Sequence, residues 1–232
     1  METCPIYYKS GEDSTDIWIF CGETDYISTV IRWNHRFYEP DLLGFIEQNY
    51  HTQRTILDIG ANIGNHSLFF AKFLEYDRLI SFEPMEVNIQ LFKKNLEPYK
   101  DKCTLIETAL GSEEGEMTLY NTYDQNNGGY SVVYQPDTLT VGTIKVATLD
   151  SFEIDDVSFI KLDVENYEAE VLRGGKNTIM RCKPMIMLEN SFYYFSNLFP
   201  NPNPHQEIME EMGYERIHTN LCGSSMDVWV SK

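Results

Sequence analysis

Positive charge is scarce in this sequence. Lysine and arginine number 18 against 36 aspartates and glutamates, a net charge of −18 over 232 residues. Such a surface repels phosphate backbones and anionic membranes, so nucleic acid is not an expected partner. A solvated acidic face that keeps the chain soluble accounts for the excess by itself. Long apolar runs are missing as well. No stretch is expected to span a bilayer, and Met1-Glu2-Thr3-Cys4-Pro5 does not read as the start of a signal peptide. Cysteines are few and scattered: Cys4, Cys21, Cys103, Cys182 and Cys222, an odd number with no C-x-x-C spacing. That argues against a zinc site or a disulfide framework. It predicts free thiols in a reducing compartment, the cytoplasm. The dinucleotide pattern G-x-G-x-x-G is absent too.

What stands in its place organises the chain. Thr55-Ile56-Leu57-Asp58-Ile59 reads as a buried strand, Gly60-Ala61-Asn62-Ile63-Gly64 as a glycine turn, and Asn65 to Leu74 as a helix with apolar residues at helical spacing. Strand, glycine turn and helix form the nucleotide cradle of doubly wound α/β proteins, where free N–H groups at a helix start face the ligand. Asn62 occupies the position of the middle glycine, so no backbone is cleared for a pyrophosphate. Asp58, two residues before Gly60, suits a ligand with a positive end, such as the amino group and sulfonium of S-adenosylmethionine. A second strand, Arg78 to Pro84, ends in Glu83, about 20 residues on, where a ribose diol is gripped in such folds. Asp58 alone reads more readily as a helix-dipole or turn carboxylate; the ordered set of strand, acid, two glycines and second acid does not.

The remaining chain continues the β-α alternation that makes a parallel sheet. Asp16–Phe20 reads as a short strand, Asp25–Trp33 as a helix, and Pro40 opens a second helix at a favoured first-turn position. Residues 1–52 are expected to form a lid segment over the strand ends, and 53–232 a Rossmann-like core, together one domain. Asn88–Leu96 reads as a helix and Cys103–Leu110 as a third strand with Thr108 and Ala109 at its carboxyl end, facing an adenine. Glu116–Tyr120 and Gly142–Ala147 alternate like an added hairpin. Between them Asn126–Ser131 reads as a turn or as a loop closing on a ligand. Val157–Asp163 and Pro184–Asn190 are the fourth and fifth strands, separated by a helix that the Gly174-Gly175 pair kinks or interrupts. Ser191–Phe195 is aromatic without a period, Pro200, Pro202 and Pro204 mark a loop, and His205–Met212 is a helix. Tyr214–His218 and Met226–Val230 pair as a terminal antiparallel hairpin. The expected fold is α/β, a mostly parallel doubly wound sheet.

Asp58–Gly64, Phe82-Glu83-Pro84, Thr148–Phe152, Phe159–Glu168 and Glu170–Gly175 together resemble the FkbM-type family of S-adenosylmethionine-dependent methyltransferases. The resemblance runs from about Tyr38 to Asn190. It departs at Asn166, where the family has glycine after Asp-x-Glu. It implies a class I methyltransferase fold and O-methyl transfer to a sugar hydroxyl of a small molecule or glycan. Its cofactor contacts would fall on Tyr38, Asp58, Gly60, Asn62, Gly64, Asn65, Glu83, Pro84, Met85, Thr108, Ala109 and Asp163; helix capping is an equal reading for Tyr38. The rival readings are a NAD-dependent oxidoreductase, which Asn62 and the missing third glycine disfavour, and a non-catalytic nucleotide-binding module. The chain can also be part of a larger polypeptide or of an oligomer.

Methyl transfer to oxygen needs alignment and removal of a proton. A sugar hydroxyl is a weak acid, so either a base or a divalent cation must help. The catalytic candidates are Asp163, Glu165 and Glu189. Asp163, Glu189 and Asn190, at the ends of neighbouring strands, offer oxygen ligands that suit magnesium or manganese. That layout resembles the acid, acid-asparagine site of metal-dependent catechol-type methyltransferases, with glutamate replacing the first residue of the second pair. Capping of the following loop by Glu189 and Asn190 is the plainer alternative, and Glu165 or Glu168 as a metal-free base is another.

Overall fold

The computed structural model describes residues 2–10, 13–23, 25–121, 130–132, 139–190 and 204–232. At its centre is a sheet of seven strands. β3 (Thr55–Ile59) lies between β4 (Arg78–Phe82) and β10 (Val157–Leu162), with β5 (Cys103–Ile106) beyond β4 and β11 (Met185–Glu189) beyond β10. These five pair in parallel. β12 (Tyr214–His218) and β13 (Met226–Ser231) close the far edge, β13 antiparallel to both β11 and β12. The expected doubly wound sheet with its terminal hairpin is what forms.

The central strands are apolar without alternation because both faces are covered. On β3, Ile56 joins one core and Leu57 and Ile59 join the other. The first core is aromatic. Phe69 and Phe70 of α3 (Asn65–Phe73) are fully buried, and Phe69 meets Phe37 edge-on at 5.4 Å and Tyr8 at 5.1 Å. The second core packs Val171, Leu172 and Trp229 under the opposite face.

Two local features differ from the sequence expectation. β1 (Glu2–Ser10) pairs along its length with β2 (Asp13–Cys21), a hairpin of which only Asp16–Phe20 was expected. Cys4 and Ile6 face inward with Ile17, Ile19 and Cys21, and the N–H of Phe20 docks on Asn95 of α4 (Glu86–Asn95). Ala109 leaves the third strand: β6 (Ala109–Leu110) belongs to a separate four-stranded sheet. That sheet contains the expected pair, now β7 (Gly115–Asn121) against β9 (Leu139–Ala147), together with β8 (Tyr130–Ser131). As expected, the glycine pair interrupts the helix, dividing it into α5 (Glu168–Gly174) and α6 (Lys176–Cys182). A Cβ on Gly174 would stand 1.9 Å from the carbonyl oxygen of Gly111, so only glycine lets these segments touch.

α1 (Tyr26–Asn34) is capped by the Asp25 carboxylate, which accepts from the Ser28 N–H, and α2 (Pro40–Asn49) has its proline at the first turn. α7 (Pro204–Glu211) precedes β12. Most of the Asn126–Ser131 turn, the aromatic run 191–195, and Pro200 and Pro202 lie outside the described residues.

Candidate active site

The carboxyl ends of β3, β4 and β10 open on a cleft enclosing about 930 Å³ of empty space, part of it open to solvent. The glycine turn forms its floor. Gly60 sits at φ +79°, and a Cβ there would fall 1.8 Å from the Asp163 carbonyl oxygen. Glycine is required both for the left-handed backbone and for the close approach of the β10 end. The N–H groups of Gly60 and Ala61 donate to the Phe82 carbonyl, tying the turn to the end of β4.

Glu83 follows that strand end, 5% exposed. Its Oε2 accepts the Asn62 N–H at 2.9 Å; its Oε1 accepts the Met85 N–H at 2.9 Å and the Asn88 amide at 3.3 Å. Burial pushes the carboxyl up, against the pull of these donors. A carboxylate has about four acceptor sites, so Oε2 keeps one for a ligand hydroxyl. Asn62 takes a left-handed φ of 50°, which asparagine tolerates.

Of the expected contacts, Tyr38, Gly60, Asn62, Asn65, Glu83, Pro84, Met85, Thr108, Ala109, Asp163 and Glu165 line the cleft. Ala109 does so from β6, and Ile27 of α1 joins Tyr38 as the contribution of residues 1–52 to the described lining. Tyr38 and Asn65 exchange two hydrogen bonds, backbone N–H to Oδ1 at 3.0 Å and Nδ2 to carbonyl at 3.2 Å, so the segment before α2 is pinned to the start of α3. Burial, and then Glu39, push the Tyr38 phenol up, leaving it a protonated donor. Asp58 and Gly64 lie beneath this lining. Asp58 is fully buried, and its Oδ2 accepts from Ser67 Oγ at 2.6 Å.

Two buried basic residues of the lining had no assigned role in the sequence reading. Lys161, 2% exposed, donates to the Gly60 carbonyl at 2.9 Å and places its ammonium between Asp163 Oδ2 at 3.3 Å and Asp58 Oδ1 at 3.5 Å. Burial pulls this ammonium down, but Asp163 and Asp58 outweigh it and hold it charged. A lysine inside an otherwise apolar central strand was the available signal. His66 is the other, buried with Nε2 3.2 Å from Glu39 Oε2.

The loop after β10 gathers acids. Glu165 and Asn166 both have left-handed φ, 55° and 75°, so Asn166 adopts the backbone that a glycine would take there. Glu165 is exposed by its accessible surface yet lines a crowded cleft; partial desolvation there, then Asp163 and Glu168, raise its carboxyl toward about 8, an upper bound for a group that solvent reaches. Glu168, fully buried, caps the loop by accepting the Val164 and Asn166 N–H groups on Oε1; burial foremost pushes it up to about 7. Asp163, Glu168 and Glu189 each bring an oxygen within 4.8 Å of the others. Glu189 accepts from Ser225 Oγ on Oε1, and its carboxyl is raised by burial and then by Asp163. Oε2 of Glu168 makes no hydrogen bond but faces the buried His205 Nε2 at 3.7 Å, Oε2 of Glu189 and Oδ1 of Asn190 are buried with no hydrogen-bond partner, and Asn190 Nδ2 donates to Asp227. Glu189 and Asn190 therefore stand beside the described lining of the cleft, and Glu168 is the third acid of their cluster.

A seven-stranded, mostly parallel sheet with an antiparallel β13 and a ligand cleft at its carboxyl edge is the architecture of the Rossmann-like methyltransferases. Residues 58–216 match the methyltransferase FkbM domain, and the chain belongs to that family. It is 24% identical over 142 residues to the hexuronic acid methyltransferase AglP of Haloferax volcanii, a match over 61% of this chain and 58% of AglP. A methyltransferase FkbM structure from Methylobacillus flagellatus superposes with a TM-score of 0.56 at 18% identity, over 82% of this chain and 47% of that one. A candidate caffeoyl-CoA O-methyltransferase from Staphylococcus aureus gives 0.54 at 12% identity, over 89% and 90%. The chain thus spans little more than half of AglP and less than half of the FkbM structure. These two structures share its fold.

Proposed function

We propose that this methyltransferase uses S-adenosylmethionine and methylates a sugar hydroxyl of a small molecule or glycan. The observation that carries the reading is Glu83, buried at the end of β4, bonded to the glycine turn and left with one free acceptor position on the cleft. Glu83, Asn62, Met85 and Ala109 would hold the nucleoside, and Tyr38, Asn65 and Asp163 the amino-acid end. When bound, S-adenosylmethionine supplies a methyl group already activated on its sulfonium. The chain must then orient the acceptor and take its proton. Glu165 is suited to that role: it lines the cleft, and a carboxyl raised toward about 8 is a far better base than an ordinary one. Asp163, held by Lys161, would fix the rim on which the acceptor rests. The AglP likeness supports a sugar as acceptor. The free thiols, four of them buried, suit a reducing compartment such as the cytoplasm, and among the described residues no helix is long and apolar enough to cross a membrane.

The test is binding followed by transfer. S-adenosylhomocysteine should raise the melting temperature and NAD should not. Mass spectrometry should then find a methyl group on a sugar oxygen. Stabilisation by NAD alone, or methyl transfer only to amines, would overturn the reading.

A second reading is favoured by the orphaned oxygens of Glu168, Glu189 and Asn190. With Asp163 they form an all-oxygen donor set, the chemistry that magnesium and manganese accept. A divalent cation there would acidify the acceptor hydroxyl.

A further inference from the structure

We propose that Ser131 is a positioning residue for the transfer, aiming the Glu165 side chain by clamping the peptide bond that follows it; this rests on the transfer reading above, in which Glu165 takes the acceptor's proton. Ser131 lies on β8, outside the central sheet, and is 2% exposed. Its Oγ donates to the Glu165 carbonyl at 2.6 Å. The N–H of that same peptide belongs to Asn166, and Glu168 Oε1 accepts it at 3.2 Å. One peptide unit is therefore gripped at both ends, by a serine 34 residues earlier in the chain and by the acid that opens α5.

The grip matters because of what it holds. Glu165 and Asn166 both sit at left-handed φ, 55° and 75°. Residues other than glycine occupy that region at a cost, and stay there only where their surroundings over-determine it. The peptide between them sets ψ of Glu165 and φ of Asn166. If it rotates, both residues can relax, and the Cα–Cβ bond of Glu165 takes a new direction relative to the cleft that it now lines. A small misplacement of a reacting group slows a step that depends on alignment. β8 has a second route to the site. Val132, the next residue after Ser131, lines the cleft with Leu119 of β7 and Ile144 of β9. Those apolar groups would contact what is bound, so their displacement shows in affinity. The clamp acts on Glu165, so its loss shows in the rate.

The variants are Ser131→Ala, which removes the donor, and Ser131→Thr, which keeps it. Binding is read by calorimetry with S-adenosylhomocysteine, and transfer by mass spectrometry with S-adenosylmethionine and a panel of methyl hexopyranosides. In Ser131→Ala kcat should fall about tenfold, the scale of one hydrogen bond lost. KM and S-adenosylhomocysteine affinity should stay within about twofold, because the bond serves the step and not the binding. Ser131→Thr should recover most of kcat. Amide hydrogen exchange adds a readout that needs no acceptor: the Asn166 N–H should exchange about tenfold faster in Ser131→Ala and not in Ser131→Thr, with α3 and β4 unaffected. Unchanged exchange at Asn166, an unchanged kcat, or a loss shared with KM and cofactor affinity overturns this proposal and leaves sugar methylation standing. Full activity of Glu165→Gln, or methylation of no member of the panel by the wild type, overturns the transfer reading and this proposal with it.

Discussion

Lys161 on β10 and Asp58 on β3 are register partners in the parallel ladder, and the ammonium of one stands 3.5 Å from the carboxylate of the other. Both are buried, and Asp163 completes the pair as a third member on the cleft side. The ammonium also holds the Gly60 carbonyl, so one side chain fixes the glycine turn, the floor acid and the rim acid together.

The first prediction concerns that lysine. Lys161→Met keeps the length of the side chain but leaves Asp58 buried without its cation. Removing one partner of a buried pair costs about 3–5 kcal/mol. The urea midpoint should fall accordingly, and Asp58→Asn in the Met background should return part of the loss. A midpoint unchanged by Lys161→Met would show that water, not Lys161, compensates Asp58.

Glu83 gives a prediction that separates ligand from fold. Glu83→Ala removes a charge-assisted grip worth about 1.5–3 kcal/mol to a ligand hydroxyl, so S-adenosylhomocysteine affinity should drop at least about tenfold. It also strands the N–H groups of Asn62 and Met85, so stability should fall by about 1–3 kcal/mol. Calorimetry and denaturation measure the two losses independently. Lost stability with full affinity would move the nucleoside away from β4.

Much of this arrangement was legible because its signals are local. The strand Thr55–Ile59, its glycine turn and α3 are contiguous in sequence, and β10, β11 and β13 are largely apolar runs bounded by turns. What escaped depends on distant partners. β1 carries Pro5 and exposed Tyr7, and becomes a strand only by pairing with β2. Ala109 belongs to β6 because Val146 of β9 pairs with it, not because of its own neighbours. Lys161 carried no role in the sequence reading; its meaning lies in Asp58, about a hundred residues earlier. Asn166 looked like a departure, yet its φ of 75° is the conformation that the glycine at that position would supply.

That backbone makes its own prediction. Asn166→Gly should leave the fold intact and change stability by no more than about 1 kcal/mol, since glycine enters φ > 0 freely. Asn166→Val should cost more, because a β-branched residue is a true outlier there. Rates of transfer should follow the same order. Equal behaviour of the two variants would mean that the loop is not held in this conformation in solution.

The raised carboxyl of Glu165 predicts a pH dependence with two signs. As a base it works deprotonated, so transfer should rise with pH and level off above about 8. For stability the direction is opposite. The folded chain keeps this proton to a higher pH, at most about 8, whereas the unfolded chain releases it near the ordinary value of 4.5. Between those values the native state binds more protons, so stability falls as pH rises through that window. Glu165→Gln should abolish the rise in rate and flatten the fall in stability. A rate profile with no rise towards pH 8 would transfer the role of base to another group.

The acid cluster decides between the two catalytic readings. If Asp163, Glu168, Glu189 and Asn190 hold a divalent ion, manganese should raise the melting temperature of the wild-type chain, with the cluster carboxylates as the groups that respond. Glu189→Gln removes one formal charge at nearly constant size and should weaken that effect, while S-adenosylhomocysteine binding, which rests on β4, persists. Methyl transfer should stop in excess chelator and return with magnesium or manganese. In the metal-free reading, chelator leaves turnover intact and Glu165→Gln alone removes it. Glu168→Gln then discriminates further. Its Oε1 caps the Val164 and Asn166 N–H groups whether or not an ion binds, so stability should suffer in either case. Only if an ion shares the site should the variant also lose the manganese response. Full turnover in chelator with no manganese stabilisation of the wild type would remove the ion and leave Glu165, which lines the cleft, as the base.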